Sequence, residues 1–449
     1  MINIQPLPNF AATVLYVRLV PLDQDELSAW MHEGENELYR TAVGTWDGHS
    51  WIWPYSPESE TDLRSSFHGM DKTDFNQWWF GITGTDLVNY PSLHGTIAGK
   101  DTKDFPTDAH KAYTRSLVSL LEKGTNPLLV ARTEVRAQQR EFHVFIRPQA
   151  WGASIPYEET FDSRFYAAHP EWRCVDEEGK RTMHMSWAVP EVRGQVLNVI
   201  REFVEMADPD GVGIFFNRGM PLMLWEDAFV ARYKEKHGSA PVKSEENERV
   251  FSLRGEIITG FLQDLRKMLD EISERKQARR YKITVTTLSR EKYNTRFGLD
   301  VETWAKRSLV DQVGVIVANH TSDGAVQYTT PDLVYYRRIL QDRSIPLYPF
   351  LVAWSTKLWT NGDPADMCRL VSEWYRDGAT GIAVWDPKQV RTGYGNNVYQ
   401  GQPMDVLSYL GHKKLIEHWA KHGVPLPKHE LVTRLDENEY SKWYPNVGY

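Results

Sequence analysis

Residues 147–238 decide the fold. They open with RPQAWG (147–152), resume after a loop with SWAVPEVRGQVLNVIREFVE (186–205), and end in DPDGVGIFFNRGMPLMLWEDAFVARYKEKHG (208–238). The pattern is the end of one buried strand, a helix opened by Pro190 and Glu191, and a second buried strand at 211–217. Directly after that strand come Asn217, Arg218, Trp225, Glu226 and Asp227. A parallel strand that ends in polar and aromatic groups is how an α/β barrel builds a site at its C-terminal face.

Outward from this stretch, eight β-branched or aromatic runs alternate with helical patterns. The runs are 13–20, 38–46, 142–147, 211–217, 281–288, 312–319, 346–354 and 381–385. Helices are expected at 23–33, 108–123, 225–237 and 247–275, at a segment capped by Asn126 with Pro127 at its first position, and at 404–422. Regular alternation of strand and helix predicts a single α/β (β/α)8 TIM barrel. Residues 47–107 contain no expected strand or helix, so they predict a long insertion after strand two, folded over the active-site face.

Composition narrows the function classes. The chain has 449 residues, 41% apolar and 25% charged, with a net charge of −8, which is the profile of a globular protein with a large core. Nucleic acid is not an expected partner, because no basic tract stands out. No apolar run is long enough for a membrane span, and no signal peptide is visible at the start. Cys174 and Cys368 read as two free thiols. No GxGxxG follows a strand, and no GxSxG, HExxH or Cys-pair pattern occurs, so neither a cofactor nor a metal is expected. Tryptophan is the outlier at 17 residues. Trp46, Trp51, Trp53, Trp78, Trp79 and Trp151 sit in segments that read as loops, where an indole face can stack on a sugar ring.

Reading the C-terminal end of each expected strand assembles the candidate site. The binding candidates are Asp47, His49, Arg147, Gln149, Trp151, Asn217, Arg218, Trp225, Asn319, His320, Trp354 and Trp385. Carboxylates, amides, arginines and indoles together suit a carbohydrate substrate. Glycosidic bonds are cleaved by two carboxyl groups that flank them. Glu226, Asp386 and Asp323 are the catalytic candidates, with Asp47 as a fourth. Glu226 follows the apolar PLMLW, a setting that raises a carboxyl pKa and suits a general acid.

Four motifs carry a resemblance: His169-Pro170-Glu171-Trp172, Pro190-Glu191-Val192-Arg193, Asp210-Gly211, and Arg218. In these the chain resembles the glycosyl-hydrolase-like barrels called family 10-like glycosylhydrolases. The resemblance implies a (β/α)8 barrel, glycoside hydrolysis and a functional Arg218. It departs from the family at strand four, where acidic residues usually precede the arginine and this chain has Phe215 and Phe216. Two expectations follow. Either the catalytic load moves to Glu226 and the other rim acids, or the barrel binds carbohydrate without cleaving it.

Overall fold

The computed structural model describes residues 23–25, 27–28, 41–49, 52, 56–65, 67, 73–153, 156–216, 219–243, 247–316, 318–320, 326–328, 330–340, 344–351, 364–387 and 409–424, with the backbone alone at 318–320 and 326–328. Eight strands close into a barrel. They are β1 (Thr41–Trp46), β2 (Phe75–Gly81), β3 (Glu141–Ile146), β4 (Gly211–Phe215), β5 (Lys282–Thr287), β6 (Gln312–Val315), β7 (Leu347–Leu351) and β8 (Gly381–Trp385). Each pairs in parallel with the next, and β8 returns to β1 with Trp385 opposite Thr45. The expected α/β (β/α)8 barrel is the observed fold.

One strand differs from the expectation. The run 13–20 lies outside the described residues, and the barrel closes without it. Its place in the count is taken by Phe75–Gly81, which falls inside the stretch expected to be an inserted loop, 47–107. Asn76 and Gln77 break the apolar pattern there, so the run does not read as a buried strand. In the barrel Gln77 is satisfied across the interior. Its Oε1 accepts from Trp79 Nε1 at 3.2 Å and from Gln312 Nε2 at 3.2 Å, while Gln312 Oε1 accepts from Thr284 Oγ1 at 2.9 Å. Burying these amides costs little because they bond one another.

Above this polar layer the interior is aromatic. Phe145 and Phe215 stack at 3.8 Å, and Trp385 lies 6.0 Å from each. Phe350 lies 6.0 Å from Phe215 and 6.4 Å from Trp385, and Trp79 packs beneath at 5.8 Å from Phe215. These rings form a water-free floor below the C-terminal mouth. Gly213 makes room for it, since a Cβ there would stand 2.6 Å from Phe145 Cβ. Trp46, Trp78 and Trp79, expected in loops, are strand residues buried in this core.

The helices follow their sequence signals. Those used below are α1 (Asp108–Glu122), α2 (Pro127–Ala137), α3 (Pro190–Ala207), α4 (Asp227–His237) and α5 (Glu248–Lys276), with α6 (Pro364–Asp377) and α7 (Lys413–His422) near the end of the chain. Asn126 caps α2, accepting from Leu128 N at 3.0 Å, and Pro127 occupies the first turn. Asn247 caps α5 through Val250 N. α7 is tied to the start of β2, where Asp74 Oδ2 accepts from Gly411 N at 2.9 Å and meets His412 Nδ1 at 2.6 Å. No described helix is long and apolar enough to cross a membrane. Both cysteines are buried.

The N-terminal end of the barrel is held by charge. Lys282 Nζ contacts both Glu141 oxygens at 2.6 and 2.9 Å, and Arg279 pairs with Asp210 at 2.8 Å. Burial alone would raise the Glu141 carboxyl, but the hydrogen bonds of His143 and Lys282 outweigh it and hold the group well below its usual range. Burial also keeps His143 below its ordinary value, so Lys282 is the partner that carries charge at neutral pH. A depressed carboxyl contributes stability above its unfolded pKa, and that contribution is lost as pH falls through the folded value. Glu141→Gln is therefore expected to lower the melting temperature at pH 7. The gap to wild type should close as the pH drops below about 4, which thermal melts across that range would read.

Candidate functional site

Barrel chemistry belongs at the C-terminal ends of the strands. A cavity of about 530 Å³ opens instead at the opposite end, lined by Thr41, Asn76, Arg140, Glu141, Asp210 and Arg279. That end is the charge-stabilised base, so the candidate site is sought at the mouth.

Two acidic residues come together there across the line where the barrel closes. Asp386 follows β8, and its backbone N–H donates to Thr45 O of β1 at 3.0 Å. It takes a left-handed conformation, φ 47°, that turns the chain away from the strand direction. Asp386 Oδ1 accepts from the backbone N–H of Asp47 at 3.1 Å. Asp47 Oδ1 in turn accepts from His49 N at 2.9 Å. Asp386 is buried and Asp47 partly exposed. The expected strand-end acids Asp47 and Asp386 are thus adjacent.

Further groups surround this pair. The His49 ring lies 5.0 Å from Tyr113 of α1 and 5.6 Å from Phe161. Burial pushes the Tyr113 phenol well above its ordinary value. The Asp47 charge adds to that and the Arg147 charge opposes it, which brings these three side chains into one electrostatic neighbourhood. Arg147 itself is buried. Its backbone is fixed by N–H donation to Gly84 O at 3.1 Å and by acceptance from the Thr85 hydroxyl. Thr83 stands at the end of β2 with φ 102°, an outlying conformation for a β-branched residue. Its buried hydroxyl has no partner of normal hydrogen-bond geometry, although it lies beside the Tyr113 phenol.

Glu226 is bound into the loops beyond β3 and β4. It is the N-cap residue of α4 and is buried. Oε1 accepts from the Ser186 hydroxyl, and Oε2 from Leu224 N at 3.0 Å and Val175 N at 3.4 Å. Arg254 of α5, also buried, supplies the nearby positive charge. Burial raises the Glu226 carboxyl, as its apolar neighbours predict. Its oxygens, however, hold three segments of loop together. Gln149 is structural in the same way: Nε2 donates to Met185 O at 2.7 Å and Oε1 accepts from Met185 N at 2.9 Å. Trp151 is buried, donating to Pro148 O at 2.9 Å and stacking on Phe165. Trp225 is buried beneath Arg254. Trp385 belongs to the floor.

Asn217, Arg218, Asp323 and Trp354 lie outside the described residues. Asn319 and His320 stand on a short strand, Ala318–His320, paired antiparallel with Val326–Tyr328 beyond β6. At strand four, Phe215 enters the floor and Phe216 packs 5.6 Å from Trp304, so residues 211–216 offer no acid. Among the described residues no cluster of His, Cys, Asp and Glu suits a metal ion.

The loop after β2 supplies residues that the sequence reading missed. Asp86 is fully buried there. Its Oδ2 accepts from Gln195 Nε2 of α3 at 3.3 Å, and its backbone oxygen from Thr96 N at 2.7 Å. Burial pushes this carboxyl up to about 7, against the pull of Ser163, Gln195 and Arg164. Assigning 75–81 as a strand would have placed Thr83 and Asp86 at a strand's C-terminal end, which is the signal that finds them.

No protein-family model and no curated protein matches the chain. Among solved structures it is similar to the PgaB (BpsB) glycoside hydrolase domain from Bordetella bronchiseptica, with 12% identity and a TM-score of 0.48, over 82% of this chain and 99% of that one. It is also similar to the noncanonic maltogenic alpha-amylase AmyB from Thermotoga neapolitana, with 12% identity and a TM-score of 0.43, over 86% of this chain and 77% of that one. At such identities and scores the likeness carries no chemistry.

Two stability outcomes follow from the buried acids. Glu226→Ala leaves two amides, a hydroxyl and the Arg254 charge without their acceptor, and is expected to destabilise by about 2–4 kcal/mol. Glu226→Gln, which keeps an acceptor, is expected to destabilise by less; denaturant titration of both variants checks this. For Asp86 the folded protein holds the proton more tightly than the unfolded chain. Its contribution is fully present below about pH 4 and is lost as pH rises through about 7. Asp86→Asn should therefore unfold at a higher urea midpoint than wild type at pH 8, and the difference should shrink at pH 5.

Proposed function

We propose that the protein binds a carbohydrate in the C-terminal mouth and hydrolyses a glycosidic bond there with Asp47 and Asp386 as its two carboxyl groups. The observation that carries this reading is their adjacency, through the Asp47 N–H to Asp386 Oδ1 contact of 3.1 Å, at neighbouring strand ends above an aromatic floor. Both groups accept a backbone N–H, Asp386 from Asp47 and Asp47 from His49, and the pair divides the roles of proton donor and of nucleophile or base. Arg147 and His49 carry hydrogen-bonding groups of the kind that hold sugar hydroxyls.

The test is a screen of α- and β-linked oligosaccharides by reducing-end release, followed by Asp386→Asn and Asp47→Asn. Each is expected to lower kcat by about 10²–10⁴-fold, the range for a positioned acid or base, while sugar affinity changes only a few-fold. Wild type that binds oligosaccharides but releases no reducing ends would leave a carbohydrate-binding barrel instead. Absence of binding at millimolar sugar would end the carbohydrate reading.

A further inference from the structure

We propose that Asn89 is a positioning residue that fixes the Asp47 turn, an inference that rests on the assignment of Asp47 to the reacting pair. Asn89 lies on the loop beyond β2 and is almost fully buried. Its Nδ2 donates to Gly48 O at 3.3 Å and to Gly81 O at 3.2 Å. Both partners are carbonyl oxygens, so the amide nitrogen must face them. One side chain therefore staples the end of β1 to the end of β2, immediately beside Asp47.

The backbones at this point leave no slack. Gly48 has φ +94°, and a Cβ on it would stand 2.4 Å from Thr83 N; a Cβ on Gly81 would stand 2.6 Å from Asp47 O. The turn that carries Asp47 is thus pressed against the end of β2 and locked by the Asn89 amide. The same turn supplies the N–H that Asp386 accepts, so rotating it displaces both carboxylates together. Asn89 also keeps its own Oδ1 buried without a partner. An orphaned acceptor is a cost that a side chain chosen for packing alone would avoid. Retaining an amide here is explained if the two carbonyls must be held in place.

Asn89→Leu and Asn89→Asp in the full chain test this, read by kcat, KM, melting temperature and the carboxyl carbon NMR titrations of Asp47 and Asp386. Asn89→Leu is expected to lower kcat by about 10–100-fold with KM within a few-fold, as a misplaced catalytic group does. It should also move the Asp47 titration by about one unit. Asn89→Asp sets a carboxylate against two carbonyls at neutral pH. It should regain activity, and the native Asp47 signal, as acidification protonates it and restores a donor. The NMR readout needs no turnover: if wild type cleaves no glycan, the hydrolase reading fails while an altered Asp47 titration still supports positioning. A folded Asn89→Leu protein with unchanged kcat and unchanged Asp47 titration overturns the proposal. If that variant does not fold, an Asp47 signal in Asn89→Asp that matches wild type at neutral pH overturns it equally.

Discussion

Closure of the sheet between β8 and β1 is the constraint on which the rest depends. An open parallel sheet would expose the edges of both strands; the parallel ladder from Gly381–Thr41 to Trp385–Thr45 removes them. Closure also has a chemical consequence. It brings the chain leaving β8 alongside the chain leaving β1, so two aspartates 339 residues apart in sequence share a backbone hydrogen bond. The short-range geometry of the mouth is therefore set by the longest-range strand pairing among the described residues.

The interior explains why the mouth has a firm base. A barrel core must be filled, and here it is filled in layers: charged pairs at the N-terminal end, the amide lattice of Gln77 and Gln312 above them, and the Phe145, Phe215, Phe350 and Trp385 rings at the top. Each layer uses a different way of satisfying burial. The charged groups are paired, the amides bond one another, and the rings carry no polar atoms except the Trp385 indole nitrogen. Groups placed above such a floor work against a low-dielectric wall, where electrostatic interactions strengthen.

How much of this the sequence discloses depends on whether a feature is local. Strands β3 to β8 are legible because each is a short apolar run bounded by turn residues, and the caps at Asn126 and Asn247 are legible because capping is a contact within three residues. β2 is not, because Gln77 is buried only by virtue of Gln312, 235 residues away. That single gap hides the loop after β2 as well, and with it Thr83, Asp86 and Asn89. The acids Asp47 and Asp386 are legible as strand-end residues; their adjacency is not.

Glu226 and Asp386 are buried alike and differ in what they hold. Both are buried glutamate or aspartate side chains beyond a barrel strand, and the sequence around Glu226 signals the more apolar setting. The difference lies in what the oxygens touch. Glu226 receives a hydroxyl and two amides from three loop segments, so moving or protonating it would loosen the loops it joins. Asp386 receives its amide from the backbone of the neighbouring acid, so the two strand ends are joined through one side chain. A raised carboxyl pKa has the same physical cause in a structural clamp as in a general acid, namely removal of water. What separates the two groups in this barrel is therefore what their oxygens hold: loop segments for Glu226, the chain leaving β1 for Asp386.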